Sequence, residues 1–139
     1  MIKEVYQILE KAQITKRSRI LCAVSGGIDS TVMLHVLHEL DMDCVVAHCN
    51  FHLRGEDSNL DQQFVSNLAQ KLEYICITQE FDTEQYSDQN GLSIQMAARD
   101  LRYAFFYDVA EKNNCDYIAL AHNADDQVET VLTNLIRDT

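Results

Sequence analysis

Proline is missing from all 139 residues, and glycine occurs only four times, at positions 26, 27, 55 and 91. So small a supply of backbone breakers excludes a Pro/Gly-rich linker, and neither low-complexity runs nor internal repeats are present. No stretch reaches the roughly 18–20 unbroken apolar residues of a membrane-spanning helix. The opening Met1-Ile2-Lys3-Glu4 lacks the basic start and apolar run of a secretory signal. Of the five cysteines, at 22, 44, 49, 76 and 115, none forms a C-x-x-C pair. That withdraws support from zinc ribbons, thioredoxin-like redox motifs and most iron–sulfur ligation. An odd cysteine count without an export signal predicts reduced thiols and a cytoplasmic location.

Basic residues are scarce as well. Eleven stand against twenty-two acidic ones, and the net charge of −11 argues against a nucleic-acid-binding surface over the whole chain. Five of the eleven, Lys3, Lys11, Lys16, Arg17 and Arg19, crowd into the first twenty residues, where the balance is +3; residues 21–139 carry −14. This segment is either a basic surface at one helix end or a small electropositive landing site on an acidic body. Apolar residues, by contrast, make up 47% of the chain, enough for a core, and the length suits one domain over 1–139.

Helix-like and strand-like segments alternate. Residues 2–13 predict a first helix, 19–24 a buried strand, and 28–40 a second helix entered through a tight turn. Residues 44–48 form a second strand, followed by a polar loop over 49–57. The next helix has apolar residues at Leu60, Phe64, Val65, Leu68, Ala69 and Leu72, and Ser58 with Asp61 resembles a capping box at its start. A third strand over 74–78 leads through a loop holding Gly91 to a helix striped by Ile94, Ala97, Ala98, Leu101, Ala104 and Phe105. Residues 117–121 are the fourth strand, and a last helix carries Val128, Val131, Leu132, Leu135 and Ile136 on one face. The pattern predicts an α/β doubly wound, mainly parallel sheet with helices on both faces. Ligands of such sheets bind beyond the strands' carboxyl ends, where the strand order reverses. The residues to inspect are those following Val24, His48, Thr78 and Ala121.

Ser25-Gly26-Gly27-Ile28-Asp29-Ser30 is the strongest local signal. A strand that ends in two glycines and runs into a helix leaves several backbone N–H groups converging on one point, at the positive end of the helix dipole. Such a corner suits phosphate. Lack of Cβ atoms lets an oxygen approach the backbone, and Ser25, Ser30 and Thr31 add hydroxyls. Asp29 beside a phosphate is repulsive unless a cation intervenes, which points to Mg²⁺ or a cationic substrate group. Neither G-x-x-x-x-G-K-[ST] nor G-x-G-x-x-G is present, so γ-phosphate transfer and dinucleotide fingerprints are both missing. The bland alternative is a plain tight turn with a serine cap.

The hexapeptide resembles the S-G-G-x-D-S pyrophosphate loop of the N-type ATP pyrophosphatases, the PP-loop superfamily that includes GMP synthase, NAD synthase, asparagine synthase and several tRNA-modifying enzymes. That resemblance implies an adenine nucleotide alpha hydrolase-like fold, cleavage of ATP between its α- and β-phosphates, and adenylation of a substrate oxygen. Three further segments narrow it: residues 47–58 (AHCNFHLRGEDS), 93–103 (SIQMAARDLRY) and 121–130 (AHNADDQVET) with its continuation to Arg137. With the loop they are similar to the tRNA(Ile)-lysidine synthase family from about residue 19 onward. Arg137-Asp138-Thr139 departs from that family's R-G-[ST]. The family's chains continue well beyond this point, so an N-terminal fragment of a longer chain is expected. The missing C-x-x-C argues against thiolating relatives that act on tRNA cytidine.

The resemblance implies ligation of free lysine to C2 of the wobble cytidine of tRNA(Ile) through an adenylated intermediate, with ATP and Mg²⁺ as cofactors. Most RNA contacts would come from C-terminal domains. Nucleotide-binding residues are then Ser25, Gly26, Gly27, Ile28, Asp29, Ser30, His48 and His122, with Asp29 also the metal ligand. Asp29, Arg99 and Glu129 are the catalytic candidates, and Asp126, Glu129, Arg102 and Arg137 the substrate-binding ones. Helical spacing sets Asp126, Glu129 or Thr130, Thr133 and Arg137 opposite the apolar stripe, where a glutamate can hold lysine's ammonium group. Asp125 and Asp126 equally suit dipole compensation in a helix's first turn. Arg99 and Arg102, one turn apart, read either as phosphate stabilisers or as surface salt-bridging partners. His48 and His122, at strand ends, are expected to line the site, whereas His35 and His38 read as surface residues. The loop with Phe51, His52 and Arg54 either folds over the nucleotide or target base or is simply exposed. Another adenylating ligase on the same loop, or a non-catalytic nucleotide-binding module, stays open on these residues alone.

Overall fold

Short apolar runs rich in β-branched residues become the central strands of a sheet. A computed structural model describes residues 17–124 and 127–134, with side chains over 17–121. The helix expected over 2–13, with Lys3, Lys11 and Lys16, lies outside the described residues, as do Asp125, Asp126 and 135–139. In chain order the elements are β1 (Arg19–Ala23), α1 (Ile28–Glu39), β2 (Asp43–Asn50), α2 (Glu56–Lys71), β3 (Ile75–Glu80), α3 (Thr83–Asn90), α4 (Ile94–Lys112), β4 (Tyr117–Ala124) and β5 (Gln127–Asn134). The sheet order is β3-β2-β1-β4-β5. The first four strands run parallel, and β5 pairs antiparallel with β4.

Strand alternation sorts the apolar side chains into two layers. Ile20, Cys22, Val24, Cys44 and Val46 face Met33, Leu34 and Leu37 of α1 and Val65, Leu68 and Ala69 of α2. Leu21, Ala23, Val45, Ala47, Ile118 and Leu120 face Phe106, Val109 and Ala110 of α4. Helices therefore cover both faces, as expected for a doubly wound sheet. Because β1 lies between β2 and β4, the chain leaves it in one direction and later returns on its other side. The resulting crevice opens at the carboxyl ends of β1 and β4.

Arg19 closes the opposite edge. Its Nε donates to Asp43 Oδ2 at 3.0 Å and its Nη1 to the Asn113 carbonyl at 2.9 Å, while its backbone N–H donates to Asp116 Oδ2 at 3.0 Å. This arginine ties the amino ends of β1 and β2 to the end of α4. It sits at the far end of β1 from the glycine corner, so it does not contribute to a landing site there.

Several local expectations are corrected. Gln127–Asn134 is a strand, not part of a helix. Val128, Thr130, Val131 and Thr133 make half of it β-branched, and β4 offers a pairing edge that sequence periodicity does not see. Residues 83–90, expected in a loop, form α3: the Asp82 carboxylate accepts from Gln85 N–H at 3.1 Å, and Gly91 caps the far end at φ 63°. Gly55, not a Ser58–Asp61 box, stands at the N-cap of α2. The Ser58 hydroxyl instead accepts from the Arg54 N–H at 3.0 Å. Strand β2 extends to Asn50, two residues past its expected end. In α4, Ala104 is exposed and Phe106 takes the core position.

Helix α2 also uses a narrower stripe than its periodicity implies, since Leu60 is 61% exposed whereas Leu68 is 9% exposed. Leu68→Ala is expected to cost about 2–5 kcal/mol in urea unfolding, and Leu60→Ala to stay within about 0.5 kcal/mol. Equal losses from the two would contradict this orientation of the helix.

Candidate active site

After β1 the chain turns through Ser25, Gly26 and Gly27 into α1. Gly26 adopts φ 100°, and a Cβ added there would lie 3.0 Å from Asp61 Cβ, so both backbone and space require glycine. Gly27 is the N-cap of α1 and receives no side-chain cap. Its carbonyl accepts from the Thr31 N–H at 3.2 Å and from the Thr31 hydroxyl at 2.7 Å. The N–H groups of Ile28, Asp29 and Ser30 precede that first helical bond and have no intrahelical acceptor. Ser30 Oγ accepts from the Ser25 N–H at 3.0 Å and meets Ser25 Oγ at 3.0 Å, and Ser25 Oγ accepts from the Gly27 N–H at 3.2 Å. The two serines thus brace the turn from within. With the positive helix end added, the corner is an anion cradle.

Beside it lies a cavity of about 190 Å³ at the strand-order reversal, lined by Val24, Ser25 and Ser30, by Phe51 after β2, and by Arg102 and Tyr103 of α4. Its apolar lining carries three hydroxyls, of Ser25, Ser30 and Tyr103, and one guanidinium. The arginine is fixed by aromatic packing: its guanidinium carbon sits 5.5 Å from the Phe51 ring centre. Phe51 stacks on Phe81 at 5.6 Å and 21°, and Phe81 meets Phe105 edge-on at 6.0 Å. The 51–54 loop is pinned as well. The Thr83 hydroxyl donates to the Phe51 carbonyl at 2.8 Å, and His52 Nε2 lies 2.8 Å from Glu80 Oε1. Buried Asn50 bonds Asn59, Gln62 and the His52 N–H.

A second cavity, about 210 Å³, adjoins the first and lies behind the corner, between β2 and α2. His48, 2% exposed, lines it. Its Nδ1 lies 2.7 Å from the Val24 carbonyl. A carbonyl only accepts, so Nδ1 carries the proton and ties the strand to the residue before Ser25. Nε2 is buried and has no hydrogen-bond partner among the described residues. On the same side, Arg54 Nη1 donates to Asp61 Oδ2 at 3.1 Å, and Asp61 lies against Gly26. Cys49 lines both cavities. Burial pushes its thiol up to about 12 against the opposing pull of Arg102, so it stays protonated at neutral pH and is no nucleophile.

Residues 1–139 match the family model described as the PP-loop domain. The chain belongs to the PP-loop domain family. It is 46% identical over 138 residues to a tRNA(Ile)-lysidine synthase of Bacteroides thetaiotaomicron, covering 99% of this chain and 32% of that protein. A Bacillus subtilis tRNA(Ile)-lysidine synthase is 39% identical over 142 residues, covering 99% and 30%. The chain thus spans about a third of these curated relatives. Among solved structures, an NH3-dependent NAD synthetase from Campylobacter jejuni superposes with a TM-score of 0.60 at 16% identity over 84% of this chain and 51% of that one, a likeness of fold.

The PP-loop domain gathers some of the sequence-predicted residues and separates others. Ser25 to Ser30 form the corner; Ile28 is 81% exposed and points no bulk into it. Arg102 reaches both cavities, whereas Arg99 stands 5.7 Å over the Tyr103 ring and lines an outer groove with Leu53 and Ile94. His48 is buried, contrary to its expected strand-end placement, because β2 continues past it; it lines the site from beneath. His122 and Glu129 are directly opposed in the β4–β5 register, so Glu129, Thr130 and Thr133 do not share the expected helical face. Asp126 and Arg137 lie outside the described residues. Asp61, Tyr103 and Cys49 were not among the residues the sequence put forward for the site. Their signal was only proximity across elements, which periodicity does not carry. Among the described residues no cluster of three or more His, Cys, Asp or Glu side chains forms a metal site, and no helix is long and apolar enough to cross a membrane.

Gly26→Ala is expected to lower stability by more than about 1 kcal/mol, because both its φ and the Asp61 contact oppose a side chain. Gly27→Ala, at φ −75°, is expected to cost less, about 0.5–1 kcal/mol for losing glycine at an N-cap. Thermal unfolding of the two variants checks this, and a neutral Gly26→Ala would refute the described corner.

Proposed function

We propose that this chain is the nucleotide-binding catalytic domain of a tRNA(Ile)-lysidine synthase. In this reading residues 1–139 form a single domain at the N-terminal end of a longer cytoplasmic enzyme, whose further domains make most of the RNA contacts. The observation that carries the reading is the bare anion corner at the strand-order reversal, opening onto an apolar-walled cavity with Arg102 at its rim. Similarity to curated tRNA(Ile)-lysidine synthases along nearly the whole chain supports the choice of substrate.

Two steps follow. The C2 carbonyl oxygen of the wobble cytidine forms a bond to the α-phosphorus of ATP, and the bond to the β-phosphate oxygen breaks, releasing pyrophosphate. The ε-amine of free lysine then attacks C2, loses a proton, and AMP leaves with the oxygen. Negative charge builds on phosphate oxygens in the first step. The corner's N–H groups and the Arg102 guanidinium are preorganised donors for that charge. Glu129 holds the lysine ammonium, joined by Asp126, while Arg99, at the outer groove, and Arg137 serve the nucleotide and the RNA. Mg²⁺ fits the donor set, since Asp29 offers one carboxylate at the corner and magnesium is held by one or two carboxylates with phosphate oxygens completing its shell. When bound, it neutralises phosphate charge.

Two substitutions in the full-length protein test the roles. Asp29→Asn is expected to lower ATP–pyrophosphate exchange on the order of 10²-fold or more while circular dichroism stays unchanged. Retained exchange removes Asp29 from the chemistry. For Glu129→Gln, the lysine KM is expected to rise by roughly tenfold or more with the ATP KM little altered, as loss of a charge-assisted hydrogen bond implies. Equal rises in both would contradict an ammonium contact. Exchange that proceeds equally with other acceptors would favour a different adenylating ligase.

A further inference from the structure

We propose that Arg54 and Asp61 form a partner-exchange latch for the pyrophosphate end of the nucleotide. Asp61 holds Arg54 in the free protein, and the incoming β- and γ-phosphates take Arg54 from it. The inference rests on the reading that the glycine corner receives the nucleotide's phosphates, and it names how that corner is screened and completed.

Three observations meet here. First, Asp61 reaches from the first turns of α2 onto the corner: its Cβ, Cγ and Oδ1 lie 3.0–3.1 Å from the position of a Gly26 Cβ. A carboxylate there repels an approaching phosphate. Second, its other oxygen accepts from Arg54 Nη1 at 3.1 Å, so the guanidinium stands one carboxylate away from the anion cradle. The Asp57 carboxylate is its more distant neighbour, 4.0 Å from Nη2. Third, Arg54, Asp61 and Ser25 line the second cavity together with His48, whose buried Nε2 has no partner among the described residues. The cavity therefore continues the anion corner and contains a buried ring nitrogen with no partner among the described residues.

Physical chemistry sets the direction of the exchange. The Arg54 side chain is 67% exposed and that of Asp61 31%, so solvent screens their pair and holds it weakly. A guanidinium binds a phosphate through two parallel bonds and gains more from that doubly charged partner than from one carboxylate. The Arg54 backbone is held by Ser58 Oγ at 3.0 Å, so exchange needs rotation of the side chain and not movement of the loop. Asp61 thus acts as a competitor of the ligand, while Arg54 is a direct ligand of it.

Titration calorimetry on the full chain with Mg²⁺-pyrophosphate, α,β-methylene ATP and AMP tests this. Arg54→Ala is expected to weaken pyrophosphate and α,β-methylene ATP about tenfold, with partial rescue by Arg54→Lys and AMP binding unchanged. Asp61→Asn is expected to tighten both phosphate probes several-fold, and the double variant to bind them more tightly than Arg54→Ala, because the repelling carboxylate is gone, but more weakly than Asp61→Asn. Arg54 is exposed and Asp61 half-buried, and thermal melts confirm that the variants fold. Weakening by Asp61→Asn, whether through lost metal or lost support, overturns the latch, as does an Arg54→Ala variant that binds pyrophosphate normally. If the unaltered protein binds neither pyrophosphate nor either nucleotide, the proposed function falls and the latch with it. Normal binding by the unaltered protein and by both variants leaves the function standing and removes the latch alone.

Discussion

Backbone geometry at Gly26 is the constraint from which the site is built. A residue at φ 100° with Asp61 packed against its α-carbon must be glycine, and its conformation turns the chain from β1 directly into α1. That turn decides where the helix begins, and hence where the unpaired N–H groups point. Ser25 and Ser30 brace it from within, while His48 braces it from beneath through the Val24 carbonyl. The sheet matters to this corner chiefly as a rigid base: β1 lies between β2 and β4, so the corner sits in the crevice instead of beneath a helix.

Around this base the protein distributes charge unevenly. The body is acidic, yet the rim of the crevice carries guanidinium groups from two different elements. Arg102 is held by the Phe51 ring, and Arg54 by Asp61. The two modes of holding have different consequences. An aromatic partner holds Arg102 at the cavity without itself supplying negative charge, whereas a carboxylate neutralises the guanidinium until something more anionic arrives. The aromatic chain from Phe51 through Phe81 to Phe105 therefore does electrostatic work as well as packing, because it positions Arg102 without cancelling it.

The thiols fill a quieter role. Cys22, Cys44 and Cys115 are buried core residues, and burial lifts the Cys22 and Cys44 thiols above their ordinary range. Cys49, although it lines the crevice, is likewise kept protonated.

Local pattern was enough to locate the corner and the four parallel strands, because a two-glycine turn between a buried strand and a helix has few physical alternatives. It placed Arg99 and Arg102 together on the flank beside the core stripe, but could not tell that Arg102 lines the crevice while Arg99 packs on Tyr103. It misjudged Gln127–Asn134, whose apolar spacing suits a helix while its β-branched residues suit the strand that β4 templates. It misassigned Asp61 as a local cap, when the residue's partners are Arg54, seven positions earlier, and Gly26, in another element. Sequence by itself determined the anion corner and the alternating architecture, because these depend on short-range backbone preference and on hydrophobic period. Only the tertiary structure decided which charged side chains surround the corner and which of them are compensated, because such pairings are set by how helices pack across the sheet and leave no periodic trace along the chain.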